Sequence, residues 1–514
     1  MLEASTVEIA PAPPPRVPAE VTAPARLSSA DGSSLYLWLT ACGLAIAGLS
    51  LLLPSTPSYD PWAWLIWGRE IVHLSLHTTG GPSWKPLPVV FTTAFAPFGH
   101  AAPDLWLVIA RAGALVAAAV AFKLAWRLTM KLTSARPFAL LAGAIAVASL
   151  VNSRGFVSDN ALGYSEGLAV ALALIALDRH PDGARRQAFV AGFFAALDRP
   201  EAWLVWIPYG AYLFWKDAGA RRLVVALFVL LPALWFLPEL WGSGHLLRGV
   251  TRAQHPRSNS PAFSSCPFCT EFGRHAWSAV WTRVKVAALI AAAVAVPLAR
   301  RRPGAGTLIA IAAAGFGWWV VIALETQAGF SGNDRYLALG AALVSIAGAV
   351  AWGWGSHSIS SRVGRSRPAA SPALALAALG LFVAFPPWLG RSVIHVGRTR
   401  QALAYQAELR HDLGVAVARL GGRSPILRCG SVMTEGFQVP MVAWALGVPV
   451  DRVEAPPETA AQPGPAPSVI FQARATRTSF LLPVVGAWTG VRYRLVEHVR
   501  TFRVYSTCVS RVTR

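Results

Sequence analysis

The chain has 514 residues, of which 54% are hydrophobic and only 14% charged, and its mean hydropathy is +0.46. Soluble domains carry about 25% charged residues, so this composition excludes an ordinary water-soluble globule and requires much of the surface to face lipid. The net charge of +21 does not point to nucleic acid, because the basic clusters fall between apolar runs, where they hold the cytoplasmic ends of helices against anionic lipid.

Residues 1–34 are rich in Pro, Ala and Ser, lack an apolar stretch, and read as a disordered cytoplasmic tail. No signal peptide precedes the first apolar run, 35–54, which is therefore expected to be an uncleaved anchor. Ten more runs follow at 104–127, 138–152, 161–177, 187–197, 201–215, 221–241, 283–299, 304–325, 336–354 and 372–388. The expected fold class is thus an α-helical polytopic membrane protein with about 11 transmembrane helices. Its transmembrane domain covers 35–390, with exterior loops at 55–103 and 242–281. Residues 391–514 form a small C-terminal α/β domain.

Basic residues orient the spans. With the N-terminus in the cytoplasm, the inward connections carry Arg127, Lys131 and Arg136, then Arg179, Arg185 and Arg186, then Lys216, Arg221 and Arg222, then Arg300 to Arg302, and finally Arg362, Arg365 and Arg367. An odd number of spans then puts the C-terminal domain outside. Cysteines agree with this. Cys42 lies in the first span, and Cys266, Cys269, Cys429 and Cys508 all fall in exterior segments. An even number in an oxidising space suggests two disulfides. Cys266–Cys269 with Cys429–Cys508 is the favoured one of three pairings, and the CPFC sequence has a redox motif as its alternative reading.

Polar residues collect on the exterior side. The first exterior loop opens with Asp60 and a Trp-rich stretch (Trp62, Trp64, Trp67) at helical spacing, as in an amphipathic helix lying in the interface. Lys85 follows in SWKPLP, while NSRGFVSDNALGYSEG holds Arg154, Asp159 and Glu166. FFAALDRPEAW interrupts an apolar run with Asp198, Arg199 and Glu201, and ETQAGFSGNDRY contains Glu325, Asp334 and Arg335. Charges placed so close to hydrocarbon cost about 2.5–3.5 kcal/mol each on insertion. The run at 187–197 is too short to span, so 187–215 reads as a helical hairpin whose charged turn stops short of the far surface.

An acidic residue after the first span, an exterior helix and then Lys-Pro-x-Pro resemble the first exterior loop of the GT-C glycosyltransferases. The likeness is to the family 39 branch, which includes protein mannosyltransferases and lipid A aminoarabinose transferases. Here the stretch reads Asp60-Pro61, Trp64, Gly68 and Lys85-Pro86-Leu87-Pro88. The Arg-Pro-Glu of Arg199 to Glu201 and the Arg-Tyr of Arg335-Tyr336 also resemble motifs of bacterial members. Two positions depart from the branch, since Pro61 replaces its second acid and Leu87 divides its double proline.

The resemblance implies inverting transfer, metal-independent or metal-assisted, from a polyprenyl-phosphate sugar to an envelope glycan, lipid or protein acceptor at the bacterial plasma membrane. Asp60 is the implied general base. Lys85, Arg199 and Arg335 are implied to bind the donor phosphate, with Arg111 a weaker candidate whose ordinary reading is helix packing. Asp159 and Glu166 are expected to orient a sugar or to hold a divalent cation with Asp60. Glu201, Tyr336 and the three Trp residues are expected to line the substrate groove.

The last 124 residues carry 16 Arg, no Lys and 7 acids. Helices are expected near 398–420 and 436–446, and strands near 468–474 and 493–508. A transporter or lipid flippase is the competing function. It predicts internal repeats and mid-span charges, neither of which is evident in the sequence.

Overall fold

The computed structural model describes residues 29–256, 266–363, 377–378, 396–457 and 464–508. The run expected at 372–388, apart from 377–378, and the tail to residue 28 lie outside them.

Helices dominate the first part. They are α1 (Ser29–Leu49), α2 (Tyr59–Val72), α3 (Pro86–Phe95), α4 (Ala102–Thr133), α5 (Arg136–Val151), α6 (Phe156–Ala161), α7 (Glu166–Arg179), α8 (Arg185–Asp198), α9 (Trp203–Lys216), α10 (Arg221–Ser243), α11 (Arg248–Gln254), α12 (Cys269–Ala279), α13 (Thr282–Ala295), α14 (Ala305–Gln327) and α15 (Ala338–Val363). Among the described residues, five stretches are long and apolar enough to cross a bilayer, containing α1, α4, α10, α14 and α15. A sixth span is available if α12 and α13, bent by 96°, count as one.

Helix α4 packs against α1, α5 and α7, while α15 packs against α5, α13 and α14. Small residues set these distances, since lipid offers no hydrophobic drive for helices to associate. A Cβ on Gly348 of α15 would lie 2.2 Å from the Val284 carbonyl of α13. Helices α8 and α9 have 14 residues each, or about 21 Å at 1.5 Å per residue, against a hydrocarbon core of about 30 Å. Their connecting turn is not solvated. Asp198 is 0% exposed, and Arg199 and Glu201 are 7% exposed.

The C-terminal part contains α16 (Val396–Arg419), α17 (Arg423–Cys429), β1 (Val432–Thr434), α18 (Val439–Leu446), β2 (Val453–Glu454), β3 (Val469–Arg474), β4 (Leu481–Leu482), β5 (Arg494–His498) and β6 (Arg503–Ser506). The sheet order is β2-β1-β3-β6-β5, with β4 beside β3. Strand β1 is parallel to β2 and β3, whereas β6 is antiparallel to β3 and β5. Both expected helices and both expected strand regions are present. Strands β1 and β2, of three and two residues, are too short for alternation to reveal them. Bonds join Cys266 to Cys269 and Cys429 to Cys508.

Helix α2 differs from its expected place in the interface. Asp60 to Gly68 are buried along its length, because α3 covers one side and α18 the other. Trp62 meets Trp444 with ring centroids 5.8 Å apart. Arg69 stacks over Trp444 and donates to the Val448 carbonyl at 3.1 Å. Arg410 of α16 reaches Asp104 at the start of α4, at 2.9 Å. Arg127 pairs with Asp178 and Asp182 about 35 Å further along the same helix, at 1.5 Å per residue. The C-terminal domain thus sits on one end of the bundle, and the basic connection around Arg127 and Lys131 lies at the other.

Candidate active site

Each site residue stands where a helix begins or ends. Asp60 lies in the first turn of α2 and Glu166 in the first turn of α7. Both positions favour a carboxylate next to unpaired N–H groups. Lys85 precedes α3 in an extended conformation, with Pro86 at the first helical position. Proline fits there because its missing N–H is not needed, and it holds the preceding residue extended. Arg199 is extended for the same reason ahead of Pro200, at the end of α8. Arg335 lies in the 3-10 turn Asp334–Leu337 that leads into α15.

These ends meet around one carboxylate. Glu166 Oε1 accepts from Arg199 Nη2 at 3.0 Å and faces Lys85 Nζ and Arg335 Nε, each at 3.5 Å. Arg335 turns its Nη2 to Asp60 Oδ2 at 2.7 Å. Arg199 also faces Glu201 at 3.7 Å. Aromatic faces complete the packing of the cations. Arg199 lies 3.9 Å from the centroid of Tyr336, and Arg335 lies 3.9 Å from that of Tyr164. Three carboxylates and three cations are thus ion-paired in a buried network, the condition under which buried charge is tolerated.

A cavity of about 1810 Å³ opens between this network and the C-terminal domain. Asp60, Lys85, Tyr164, Arg335 and Tyr336 form its floor. Glu166 and Arg199 instead border a small void of about 20 Å³ behind it. Neither Asp159 nor Glu201 lines either space. Five of the charged positions expected to act together thus divide into a front row (Asp60, Lys85, Arg335) and a supporting row (Glu166, Arg199).

Asp159, in α6, hydrogen-bonds with Ser158 at 3.4 Å. Burial pushes its carboxyl up to about 7, Arg335 opposes this, and Glu166 and Asp334 add to it. Arg111 is a packing residue. It donates to the Ala161 carbonyl at 2.8 Å and to Ser50 and Ser55.

Two expectations are corrected. Trp62, Trp64 and Trp67 are 2%, 0% and 0% exposed, packed against Trp444, Trp106 and Trp84 respectively. The C-terminal domain, α4 and the loop before α3 cover them, so they do not form a groove wall open to lipid. Asp60, Asp159 and Glu166 do not fit a divalent cation, because Lys85, Arg199 and Arg335 surround Glu166 and Arg335 engages Asp60. Among the described residues, no three His, Cys, Asp or Glu side chains cluster as metal ligands.

Sequence reasoning missed Tyr164, whose ring lies under Arg335 and whose hydroxyl lies 3.1 Å from Ser58 Oγ. Its one signal was its place two residues before Glu166. Arg248 was also missed. It donates to the carbonyls of Pro82 at 2.6 Å and Gly80 at 2.8 Å, tying the segment after α10 to the first exterior loop.

The class that the fold defines is structural: a largely helical chain with the architecture seen in solved structures of ArnT. The likeness is specifically to ArnT, a GT-C glycosyltransferase. The crystal structure of ArnT from Cupriavidus metallidurans bound to undecaprenyl phosphate matches with a TM-score of 0.52 at 15% identity, covering 92% of this chain and 98% of that one. Its apo structure matches with a TM-score of 0.51 at 14% identity over the same shares. Identity this low makes the likeness one of fold. No family model matches the sequence, and no curated protein does.

Proposed function

We propose that this chain transfers a sugar from a polyprenyl-phosphate donor to an envelope acceptor on the exterior face of the bacterial plasma membrane, with inversion at the anomeric carbon. The observation that carries this reading is the cavity floor, where one carboxylate, Asp60, stands beside two cations, Lys85 and Arg335, at the edge of a lipid-embedded bundle. That ArnT binds undecaprenyl phosphate supports a donor of the same class here.

In this mechanism the acceptor hydroxyl oxygen attacks the anomeric carbon as its bond to the phosphate oxygen breaks. The phosphate leaves with the bonding pair, and Lys85 and Arg335 stabilise the charge it gains. Asp60 takes the hydroxyl proton. Arg335 pairs with Asp60 in the resting site, and an arriving phosphate competes for Arg335 and so frees the Asp60 carboxylate to meet the acceptor hydroxyl. Glu166 holds three mutually repelling cations together, and Arg199 supports the front row from behind.

The test is incubation of the purified protein with a panel of radiolabelled polyprenyl-phosphate sugars, comparing wild type with Asp60→Asn. Transfer by wild type and its near-complete loss in the variant are expected. Unaffected turnover in Asp60→Asn removes the base assignment, and absence of transfer with any donor turns the reading towards a transporter.

A further inference from the structure

The cavity has a second wall, contributed by the C-terminal domain. Glu435 and Phe437 lie in the turn between β1 and α18, Glu454 ends β2, and Trp488 follows the β4 strand. Asp451 also lines this wall, but it accepts a hydrogen bond from Thr79 and is packed against Gly80, so it locks the two walls together. Glu435 accepts from the Phe437 N–H at 2.9 Å and shapes the turn that presents the Phe437 ring, which is 47% exposed.

The two walls differ in charge. Cations dominate the floor and its rim, Arg248 and Arg252 included, whereas the roof is largely aliphatic with carboxylates and aromatic rings set in it. The volume of about 1810 Å³ also exceeds the roughly 300–1,000 Å³ of a pocket for one small ligand. A donor headgroup on the floor leaves most of it free.

We infer that this roof is an acceptor subsite for an uncharged oligosaccharide, with Glu454 accepting sugar hydroxyl hydrogens and Phe437 packing against a sugar ring. This rests on the transferase reading and specifies its acceptor. Roof carboxylates disfavour a phosphate group placed close to them, whereas an uncharged glycan meets no such repulsion. Rings supply apolar contact and carboxylates fix orientation, the usual division of labour in a polar-ligand pocket. The polarity of the cavity also orients the reaction, with the anionic donor drawn to the floor and the acceptor hydroxyl directed down towards Asp60.

The experiment is saturation-transfer NMR on the full-length protein in detergent. The probes are octyl mannobioside, octyl galactobioside and octyl arabinobioside, with undecaprenyl phosphate titrated separately. Trp488 packs with Met433 and Ile470, so the variants are the milder Glu454→Gln and Phe437→Ser. Wild type is expected to bind at least one glycoside, each variant to weaken that binding at least tenfold, and both to keep undecaprenyl phosphate affinity within twofold. The inference is overturned by no glycoside binding, by variants with unchanged glycoside affinity, or by preferential binding of a phosphorylated disaccharide lipid or a Ser/Thr peptide at these residues. Glycoside binding without undecaprenyl phosphate binding by wild type leaves the subsite standing and removes the donor reading alone.

Discussion

Arg335 sets its Nη2 atom 2.7 Å from Asp60 Oδ2 across 275 residues of sequence. The same guanidinium faces Glu166 through Nε at 3.5 Å, so one side chain holds two carboxylates in register. A planar fork can do this and an ammonium cannot. Arg335→Lys is expected to lower transfer about 100-fold, of the size seen when one charge-stabilising donor is removed, while folding remains near normal. Initial rates at varied donor concentration check it. A change confined to less than threefold would show that the fork is dispensable.

Glu166 is the hub of the network. Replacing it with Gln leaves Lys85, Arg199 and Arg335 facing one another without their shared counter-charge. Breaking a buried pair costs about 3–5 kcal/mol. Glu166→Gln is therefore expected to lower the apparent Tm in detergent more than Asp60→Asn, which removes one partner of one cation and leaves Arg335 facing Glu166. Equal Tm values for the two variants would contradict the division into front and supporting rows.

Glu70, near the end of α2, accepts the His77 N–H at 2.9 Å and is 5% exposed. Burial pushes its carboxyl up from 4.5 to about 7. Between those values the folded protein binds more protons than the unfolded chain, so stability falls as pH rises through the window and levels off above it. Glu70→Gln keeps an acceptor for His77 and removes the titration. The variant is expected to match wild type at pH 4.5 and exceed it at pH 8, by up to about 3 kcal/mol at 1.36 kcal/mol per unit. Melting curves at both pH values decide this, and parallel profiles would remove Glu70 as the cause.

Gly68 brings α2 against α3. A Cβ there would lie 2.4 Å from the Thr92 carbonyl carbon, and backbone cannot swing aside as a side chain does. Gly68→Ala is expected to cost about 1–3 kcal/mol by overpacking and to reduce activity by moving the helix that carries Asp60. Gly48→Ala in α1 is the control, because nothing lies within 4 Å of its Cβ and alanine favours helix by about 1 kcal/mol. Tm and transfer rate measured together should separate the two.

Much was readable from sequence alone. Long apolar runs make α1, α4, α10, α14 and α15 evident, because twenty apolar residues have few other stable fates. Asp60, Lys85, Glu166, Arg199 and Arg335 stood out because charge beside hydrocarbon is costly enough to require a reason. The short length of the α8–α9 hairpin was also legible, and Arg199 at its turn is buried.

Tertiary structure alone decided how those charges divide. Sequence spacing cannot say that Asp60, Lys85 and Arg335 face a cavity while Glu166 and Arg199 lie behind it, since each arrives from a different helix end. Nor does the pattern of Trp62, Trp64 and Trp67 say what covers them. An amphipathic helix beside a membrane and a helix buried beneath a second domain show the same periodicity, and only the docking of α18 on α2 separates the two. The roof of the cavity was invisible for the same reason. Glu454 and Phe437 are unremarkable in a small α/β domain until that domain sets them opposite Asp60, because a site between two walls is a property of their packing and not of either stretch of chain.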